Sequence, residues 1–528
     1  MLLINYCYFA PTIAPIPVKY IKSDIQYGLG ELSISCKYAD GSVCRKHIID
    51  NFNFYSKIMY PRDPVFTKSE YSKHGISNVV QQVQVIISSS SENYDIGTLD
   101  ESYTLDVDSQ TIKITCQNNF GAARAFASLV QLTDKLNELP LERKAYGINK
   151  AYVEDHPVFK WRQLLVDGAR HFLPISKLQL TIDTLALAKM NVLHLHAVDA
   201  ESFPLKFSKL PQSNLVLGAW NRAYYYSIQD MKELQKYAFQ RGVILYLEVD
   251  TPGHCNSWKN ADPKLIANCP SYNRNINNVP VNPAYPKTYE YVRGMMQELL
   301  VEGPFNGQEF NIKPMIHLGG DEVIGSCWAE DKDIKKYMTE KGLSISGLWR
   351  EWHQKVHDII SEVTDNGKPY QVYWNDAMDN ENYFGENSVV HYWTTSDKTR
   401  ALNKGLKVIQ STYWYLDKMH PTESTHYFFQ DTWKDFYKVD MFESVPPSQR
   451  NLVLGGGACQ WGETVWGPNF LAHMFPRALS ISEVLWSHPE KRTATQEVID
   501  RFEHLSCKMR QSGLNVGVLN PAAPCLGE

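Results

Sequence analysis

Two adjacent carboxylates, Asp321 and Glu322, are the residues best suited to acid–base chemistry. They end the segment His317-Leu-Gly-Gly-Asp-Glu322, which follows an apolar run. Side chains on a strand alternate between faces, so adjacent acids reach one cleft only where a turn follows the strand. The two glycines are expected to leave room for a ligand beside the backbone. A protonated carboxyl beside an ionised one suits general acid catalysis on a glycosidic bond. The alternative is a surface turn with two solvated acids.

The elements that must position these acids read as repeated strand–turn–helix units from about residue 159 onward. Eight segments have the pattern of short buried strands: 163–167, 192–199, 243–250, 315–319, 371–374, 389–393, 407–412 and 451–455. Helical segments such as 175–188 and 227–238 lie between most of them. Eight such units predict an α/β fold of the (β/α)8 TIM-barrel type. A doubly wound open sheet is the alternative, and the sequence lacks its phosphate-binding glycine loop.

Polar and aromatic residues follow these predicted strands. In a TIM barrel all eight carboxyl ends of the strands open on one face, which holds the active site. The residues concerned, besides the acid pair, are Asp167, Arg170, Asp199, Asp250, His254, Trp374, Trp393, Tyr415, Asp417, Trp461 and Glu463. Their concordant placement predicts one polar and aromatic cleft.

The chain divides into three regions by pattern. Residues 25–158 alternate β-rich runs with turns and contain an amphipathic helix at 122–132, which predicts a smaller N-terminal α+β domain without catalytic residue clusters. Residues 159–528 form the predicted barrel with a C-terminal tail. The apolar segment 1–24 is interpreted either as a signal peptide or as an N-terminal arm packed on the first domain.

Composition limits the classes of ligand. The formal net charge of −5 over 528 residues, with no dense basic run, argues against a nucleic-acid partner. No segment reaches the length of a membrane span. Thirteen tryptophans, several at predicted strand ends, favour a carbohydrate ligand, because indole faces stack on sugar C–H surfaces.

Ten cysteines are too few for a disulfide scaffold in a chain of this length, but their placement suggests three pairs. Cys36 and Cys44 flank a predicted hairpin. Cys507 and Cys525 could attach the C-terminal tail to the last helix, and Cys269 and Cys327 lie in loops that a barrel would bring together. Such pairs favour a lysosomal, vesicular or secreted location. The sequence contains no Asn-X-Ser/Thr acceptor that would add support for secretion.

Taken in order, these motifs resemble the β-N-acetylhexosaminidases of glycoside hydrolase family 20, especially the eukaryotic lysosomal type. The resemblance covers nearly the whole chain. Its marks are Asp167-Gly-Ala-Arg-His-Phe-Leu-Pro174, His194-Leu-His-Ala-Val-Asp199, Asp250-Thr-Pro-Gly-His254, His317-Leu-Gly-Gly-Asp-Glu-Val323, Trp414-Tyr-Leu-Asp417 and Trp461-Gly-Glu463. It also supports the three cysteine pairs, that of Cys36 with Cys44 most weakly.

The resemblance implies a retaining hydrolase without an enzyme nucleophile, an exception to the two-carboxylate scheme. The acetamido oxygen of the substrate would attack C1 and form an oxazolinium ion. Glu322 would be the general acid and then the general base. Asp321 would accept the acetamido N–H and, through its charge, raise the pKa of Glu322. Tyr415 would donate to the acetamido oxygen.

The remaining implied roles concern sugar binding. Arg170 would fork onto the C3 and C4 hydroxyls, while His254 and Asp199 would support Glu322. The indoles of Trp374, Trp393 and Trp461 would enclose the acetamido methyl and the lower sugar face. Glu463 and Asp417 would accept hydrogen bonds from the hydroxyls at C4 and C6. For Trp374 and Trp393 core packing is the alternative.

Two positions depart from the family pattern. Ala200 stands where the family commonly has a second acid, and Leu195 where it commonly has tryptophan. Lys418 follows Asp417 and raises the hypothesis that 6-sulfated substrates are tolerated. The resemblance implies no metal and no cofactor, and it allows a homodimer.

Two other function classes stay open at this point. One is a carbohydrate-binding protein on an inactive hydrolase scaffold. The other is a retaining glycosidase in which a distant acid such as Glu463 is the nucleophile. The sequence does not distinguish a preference for N-acetylglucosamine from one for N-acetylgalactosamine.

Overall fold

The computed structural model describes residues 13–60, 65–91, 93–136, 145–210, 221–271, 279–365, 368–379, 384–418, 432–492, 496–519 and 525. Its strands are β1 Lys19–Tyr38, β2 Val79–Ile87, β3 Tyr103–Val107, β4 Thr111–Cys116, β5 Thr133–Lys135, β6 Tyr146–Asp155, β7 Trp161–Asp167, β8 Val192–His196, β9 Leu205–Lys206, β10 Tyr226–Ser227, β11 Ile244–Glu248, β12 Met315–His317, β13 Tyr370–Trp374, β14 Ser388–Tyr392, β15 Lys407–Gln410 and β16 Val453–Gln460.

The α-helices alternate with the later strands. They are α1 Lys46–Met59, α2 Lys68–Lys73, α3 Asn119–Leu132, α4 Ile175–Leu187, α5 Ile228–Phe239, α6 Pro286–Met296, α7 Ser326–Glu330, α8 Lys332–Lys341, α9 Ile345–Val363, α10 Asp376–Asp379, α11 Thr399–Leu402, α12 Thr432–Lys438, α13 Phe470–Met474, α14 Arg477–Trp486 and α15 Gln496–Gln511.

The N-terminal domain is a six-stranded sheet in the order β1-β2-β4-β3-β6-β5, with helices packed on one side. Strand β4 alternates buried and exposed residues, as expected where one sheet face meets a core and the other meets water. Helix α3 is buried along its whole length because it lies between this sheet and the barrel. The predicted α+β character is confirmed, and α1 and β6 are elements that the sequence analysis did not identify.

The larger unit is a closed barrel of eight parallel strands in the order β7-β8-β11-β12-β13-β14-β15-β16. All eight strands predicted from the sequence are present, so the TIM-barrel prediction is confirmed. Every residue of β7, β8 and β11 is buried, because these strands face side chains inside the barrel and helices outside it.

The described residues near both ends of the chain connect the N-terminal domain with the barrel. Strand β1 begins at Lys19, ahead of the domain start expected at residue 25, and Ile13 and Ala14 are buried against the core. Residues 1–12 of the expected signal peptide or arm lie outside the described residues. Helix α15 packs on α1 and α3, and Lys508 and His504 of that helix contact the carbonyls of Thr133 and Gln131. Helix α15, whose Arg501 also donates to Glu483 of α14, therefore joins the barrel to the first domain.

The three expected disulfides are all formed. They link Cys36 to Cys44, Cys269 to Cys327, and Cys507 to Cys525. Three further described cysteines are buried thiols. Within the described ranges, no helix combines the length and apolar character needed to cross a membrane.

Candidate active site

A cavity of about 580 Å³ opens at the carboxyl ends of the barrel strands. It is lined by every catalytic, substrate-binding and supporting residue predicted from the sequence except Asp199: Arg170, His254, Asp321, Glu322, Trp374, Trp393, Tyr415, Asp417, Trp461 and Glu463. Asp199 is fully buried behind the wall. The parallel strands thus bring residues more than 290 positions apart into one cleft, as the barrel prediction required.

The turn after β12 brings the two adjacent acids to the same side. Gly319 and Gly320 have φ values of 65° and 95°, and Glu322 has a φ of 48°, so the chain turns through left-handed conformations. A non-glycine residue with positive φ is uncommon and marks a constrained site. Asp321 is buried, whereas the Glu322 side chain is 45% exposed to the cavity.

The expected role of the glycines requires correction. A Cβ on Gly319 would lie 1.7 Å from Oδ1 of Asp250, and the same oxygen accepts the Gly320 N–H at 2.9 Å. The space beside Gly319 is therefore filled by a buried carboxyl and not by a ligand. The glycines serve the turn and the close approach of Asp250.

His254 links the acid pair to a buried carboxylate. Its Nε2 lies 3.7 Å from Oδ2 of Asp321 and 3.6 Å from Oε2 of Glu322, and its Nδ1 contacts both oxygens of Asp199 at 3.2 Å. Burial alone would lower the pKa of His254, but the carboxylates of Asp199 and Asp321 outweigh burial and raise it well above 6.5. His254 is therefore an imidazolium that connects the barrel wall to the acids.

The ionisation of Asp321 is balanced between opposing effects. Burial raises the pKa of its carboxyl to about 6, with a smaller contribution from Asp376, while the His254 charge opposes the shift. The pKa of neighbouring Asp250 is raised well above its usual value by burial and by the Asp321 charge. Asp250 can therefore hold a proton and support the ionised form of Asp321.

Arg170 is held by three acids. Its Nη1 contacts Asp167 at 3.1 Å, its Nη2 contacts Asp199 at 2.8 Å, and its Nε lies 3.5 Å from Glu201. Burial works against the guanidinium charge, but these carboxylates outweigh it and raise the pKa of Arg170 further. A guanidinium carries five N–H donors, so it can hold these acids and still donate to sugar hydroxyls.

A fully buried carboxylate in the barrel centre, Glu248, organises the floor of the cavity. Its Oε1 accepts the Trp374 indole N–H at 2.7 Å, and its Oε2 lies 2.8 Å from His196 Nδ1 and 2.9 Å from His194 Nε2. The opposite nitrogen of His196 contacts Asp199 at 2.9 Å. Burial works against the His196 charge, yet Glu248 and Asp199 raise its pKa well above 6.5. Charges of opposite sign thus alternate along the path from Glu248 through His196 to Asp199, which contacts the active-site residues His254 and Arg170.

The aromatic wall is positioned by specific hydrogen bonds. Trp393 donates its indole N–H to Asp376 at 2.7 Å. The Tyr415 and Trp461 side chains are hydrogen-bonded. An indole can only donate, so the Tyr415 oxygen is the acceptor and its O–H is left to act as a donor. Burial, with the nearby Cys459 and Asp321, raises the pKa of Tyr415, so its hydroxyl keeps its proton.

Three buried groups among the described residues have ligand-type atoms within 4.8 Å of one another: His194 with His317 and His391, His196 with Glu248 and Asp250, and Asp250 with His254 and Asp321. In the first group the His194 and His317 rings stack with centroids 4.7 Å apart, and the His391 ring lies edge-on to that of His317 at 5.4 Å. The His391 ring lies 4.1 Å from that of Trp374, and its Nε2 contacts Ser411 at 2.7 Å. Burial lowers the pKa of His317 to about 3. These contacts are those of a packed hydrogen-bond network.

The structure adds residues that sequence reasoning did not select. Glu248 could have been noticed as a lone acid inside the apolar strand Ile244–Glu248. Asp376 follows Trp374 by two residues, and Glu201 lies one position beyond Ala200, the site of the departure from the family pattern. Glu201 supplies there an acid that reaches Arg170.

Comparisons with known families agree with this architecture. A family model described as "Glycosyl hydrolase family 20, catalytic domain" matches residues 159–489. A second, described as "beta-acetyl hexosaminidase like", matches residues 13–132. The two matched regions correspond to the barrel and to most of the N-terminal domain.

Individual relatives match over most of their length. The chain is 30% identical to β-hexosaminidase subunit A1 of Dictyostelium discoideum over 97% of this chain and 93% of the relative. It is 31% identical to the human β-hexosaminidase subunit beta over 82% of this chain and 75% of the relative. The fold is similar to an exo β-N-acetylglucosaminidase from Vibrio harveyi in complex with N-acetylglucosamine, with TM-score 0.75, 20% identity, and coverage of 96% of this chain and 78% of that one.

Proposed function

The chain belongs to glycosyl hydrolase family 20, and from this premise we propose that it is an exo-acting, retaining β-N-acetylhexosaminidase. It would remove terminal non-reducing β-linked N-acetylglucosamine or N-acetylgalactosamine from glycoconjugates or chito-oligosaccharides. One observation carries this proposal: Asp321 and Glu322, adjacent in sequence, face the same cavity beside Tyr415 and three indole rings. Residues 159–528 are proposed as the catalytic unit.

The first step uses the substrate's own acetamido group. Its carbonyl oxygen attacks C1, the bond from C1 to the leaving oxygen breaks, and Glu322 donates its proton to that oxygen. Asp321 accepts the acetamido N–H and stabilises the positive charge of the oxazolinium ion. Its buried position makes this charge more effective than it would be in water. Tyr415 donates to the acetamido oxygen and holds it for attack.

The second step restores the enzyme. Glu322, now a carboxylate, takes a proton from water while the water oxygen attacks C1 and the oxazolinium ring opens. Two inversions at C1 give net retention. Adjacent acids at one strand end suit this route, because a carboxylate nucleophile needs its acid partner about 5 Å or more away, across the glycosidic bond.

The other lining residues suit recognition of an N-acetyl sugar. Trp374, Trp393 and Trp461 enclose the acetamido methyl and the lower sugar face, and Arg170 donates to the C3 and C4 hydroxyls. Asp417 and Glu463 accept hydrogen bonds from the hydroxyls at C4 and C6. Asp199 and His254 act as positioning residues for Glu322, a role supported by the His254 contacts with both. The burial of Trp374 does not oppose its role, since it also lines the cavity floor.

Lys418 also lines this cavity and is exposed, next to Asp417. We propose that its charge gives some tolerance for a 6-sulfated sugar. The rates on sulfated and unsulfated aryl glycosides, compared in wild type and Lys418→Leu, test this. If Lys418→Leu leaves the ratio of the sulfated to the unsulfated rate unchanged, Lys418 does not have this role.

Three measurements test the main function. The purified protein should release the aryl group from aryl N-acetyl-β-glucosaminides or galactosaminides, and the panel also reads out the sugar preference. A binding-only protein would give no turnover. NMR should detect the β-anomer as the first product. A thiazoline mimic of the oxazoline should inhibit, whereas insensitivity to it would favour an enzyme nucleophile such as Glu463.

Location and assembly are part of the proposal. Three disulfides support an oxidising or post-secretory compartment, hence a lysosomal, vesicular or secreted protein. We further propose a homodimer. Fractionation of native cells for activity tests the location, and analytical ultracentrifugation of the purified protein tests the assembly. Activity confined to the cytosol, or a monomer at micromolar concentration, would contradict these two points.

A further inference from the structure

Glu201 stands one position after the place where the family pattern has a second acid. Ala200 occupies that place, and its side chain has no polar atom. The Oε2 atom of Glu201 lies 3.5 Å from Nε of Arg170 and is shielded from water. The side chain as a whole is 21% exposed. This chain therefore keeps an acid beside Arg170 although position 200 has none.

The second contact of Glu201 is with another carboxyl group, because its side chain is hydrogen-bonded to that of Asp199. An ionised carboxylate can only accept, so a hydrogen bond between two carboxyl groups requires that one of them carries a proton. Asp199 has three cationic partners, at 2.8, 2.9 and 3.2 Å: Arg170, His196 and His254. Contacts of this kind stabilise the anion. Asp199 is therefore ionised, and Glu201 is the donor.

The distances to the guanidinium of Arg170 agree with a protonated Glu201. Asp199 lies 2.8 Å and Asp167 lies 3.1 Å from it, whereas Glu201 lies 3.5 Å away. Charge-assisted N–H···O bonds are typically about 2.7–2.9 Å long, so the longer contact suits a neutral carboxyl group. Burial and the Asp199 charge raise the pKa of Glu201 to about 7, which is consistent with a proton there in acid solution.

Loss of this proton would change the surroundings of Arg170. Among the described residues, the ionisable groups that face Glu201 are its contacts Arg170 and Asp199 and three groups that line the same chamber, His171, Tyr224 and Glu463. Ionised Glu201 would repel the Asp199 carboxylate, because like charges in contact disfavour each other. Asp199 is fully buried, so Glu201 is the side chain that can move away. Arg170 would then lose part of its support.

We propose that Glu201 is a positioning residue for Arg170: it donates a hydrogen bond to Asp199 and so fixes the guanidinium that holds the C3 and C4 hydroxyls of the sugar. Sugar binding then weakens as the pH rises through about 7, where Glu201 ionises. Because Arg170 does not touch the reacting atoms, the effect falls on KM more than on kcat. This inference rests on the proposed function and deepens it with an acid-dependent control of substrate affinity.

The test measures KM and kcat for an aryl N-acetyl-β-glucosaminide at pH 5.0 and 8.0. Glu201→Gln keeps a donor that cannot ionise, so its KM should match the wild type at pH 5.0 and be about fivefold lower than the wild type at pH 8.0. Glu201→Ala has no donor, and its KM should be about tenfold higher than the wild type at pH 5.0, the size of one hydrogen bond to a charged group. The kcat of both variants should stay within about twofold. Ratios between variants at one pH cancel the ionisation of Asp321 and Glu322.

Two controls separate this role from a general effect on the structure. Glu233→Gln removes an exposed acid from helix α5 and should leave KM unchanged at both pH values. On the 3,4-dideoxy form of the glycoside, Glu201→Ala should raise KM less than about twofold, because Arg170 has no hydroxyl to hold.

The inference is overturned if the KM ratio of Glu201→Gln to wild type is the same at both pH values, or if Glu201→Ala weakens binding of the dideoxy compound as much as that of the parent. If the alanine variant does not fold, the glutamine ratio decides. Absence of turnover of the parent glycoside by the wild type would overturn the proposed function and this inference with it.

Discussion

Replacement of Asp321 by asparagine should lower the activity of the enzyme and raise its stability. Asparagine keeps the shape of the side chain and removes its charge. The buried charge is costly in the free enzyme, because burial raises the pKa of this carboxyl from 3.8 to about 6. The same charge is needed when positive charge develops on the substrate. We therefore expect Asp321→Asn to be slower and, at neutral pH, more stable.

The magnitude follows from linkage between ionisation and folding. An acid with a raised folded pKa contributes stability that is present below its unfolded pKa and is lost as the pH rises through the folded pKa. A shift of about two units corresponds to about 3 kcal/mol at pH 7.5 and to about 0.5 kcal/mol at pH 4. Removal of one preorganised electrostatic group slows catalysis by about 10²–10³. Asp321 is only 11% exposed in its side chain, so solvent screening reduces these values little.

The assay compares urea unfolding of wild type and variant at pH 4.0, 5.5 and 7.5, followed by tryptophan fluorescence, with kcat/KM on one aryl glycoside. Asp321→Asn should gain stability relative to wild type as the pH rises. Asp199→Asn is the matched control of opposite sign, because His254 and Arg170 outweigh burial and lower the pKa of Asp199. That variant should lose most stability at pH 7.5. An equal stability change for Asp321→Asn at all three pH values would refute the reasoning.

Three further predictions concern other parts of the protein. Glu322→Gln should slow cleavage of sugar leaving groups by several orders of magnitude and of nitrophenyl groups much less; equal losses in a leaving-group series would contradict its role as the acid. Glu248→Gln should lower the free energy of unfolding by about 3 kcal/mol, as for a broken buried ion pair, and reduce kcat/KM by displacing Trp374; unchanged kinetics would argue against that positioning. Cys269→Ser with Cys327→Ser opens a link over 58 positions and should cost about 4 kcal/mol, measured by urea denaturation beside the oxidised wild type; an unchanged free energy of unfolding would contradict it.

The sequence alone predicted the barrel and the gathering of the site. Eight apolar segments of strand length, each followed by polar or aromatic residues, leave one arrangement in which those residues meet, because parallel strands place their carboxyl ends on one face. Arg170 and Glu463 are far apart in the chain, yet their positions after the first and last strands were sufficient to place both in one cavity. The position of each residue just after a predicted strand was thus enough to predict that both line the same cavity.

The tertiary structure decided which group each residue contacts. The space beside Gly319 belongs to Asp250, which arrives from another strand, and the Trp374 indole is held by Glu248 across the barrel. Spacing along one strand cannot reveal such pairs, because they depend on the register and tilt of strands far apart in sequence. The sequence by itself predicted the strand ends that meet at the cleft and most of the side chains they carry, and only packing across the barrel determined the partners and the ionisation of those side chains.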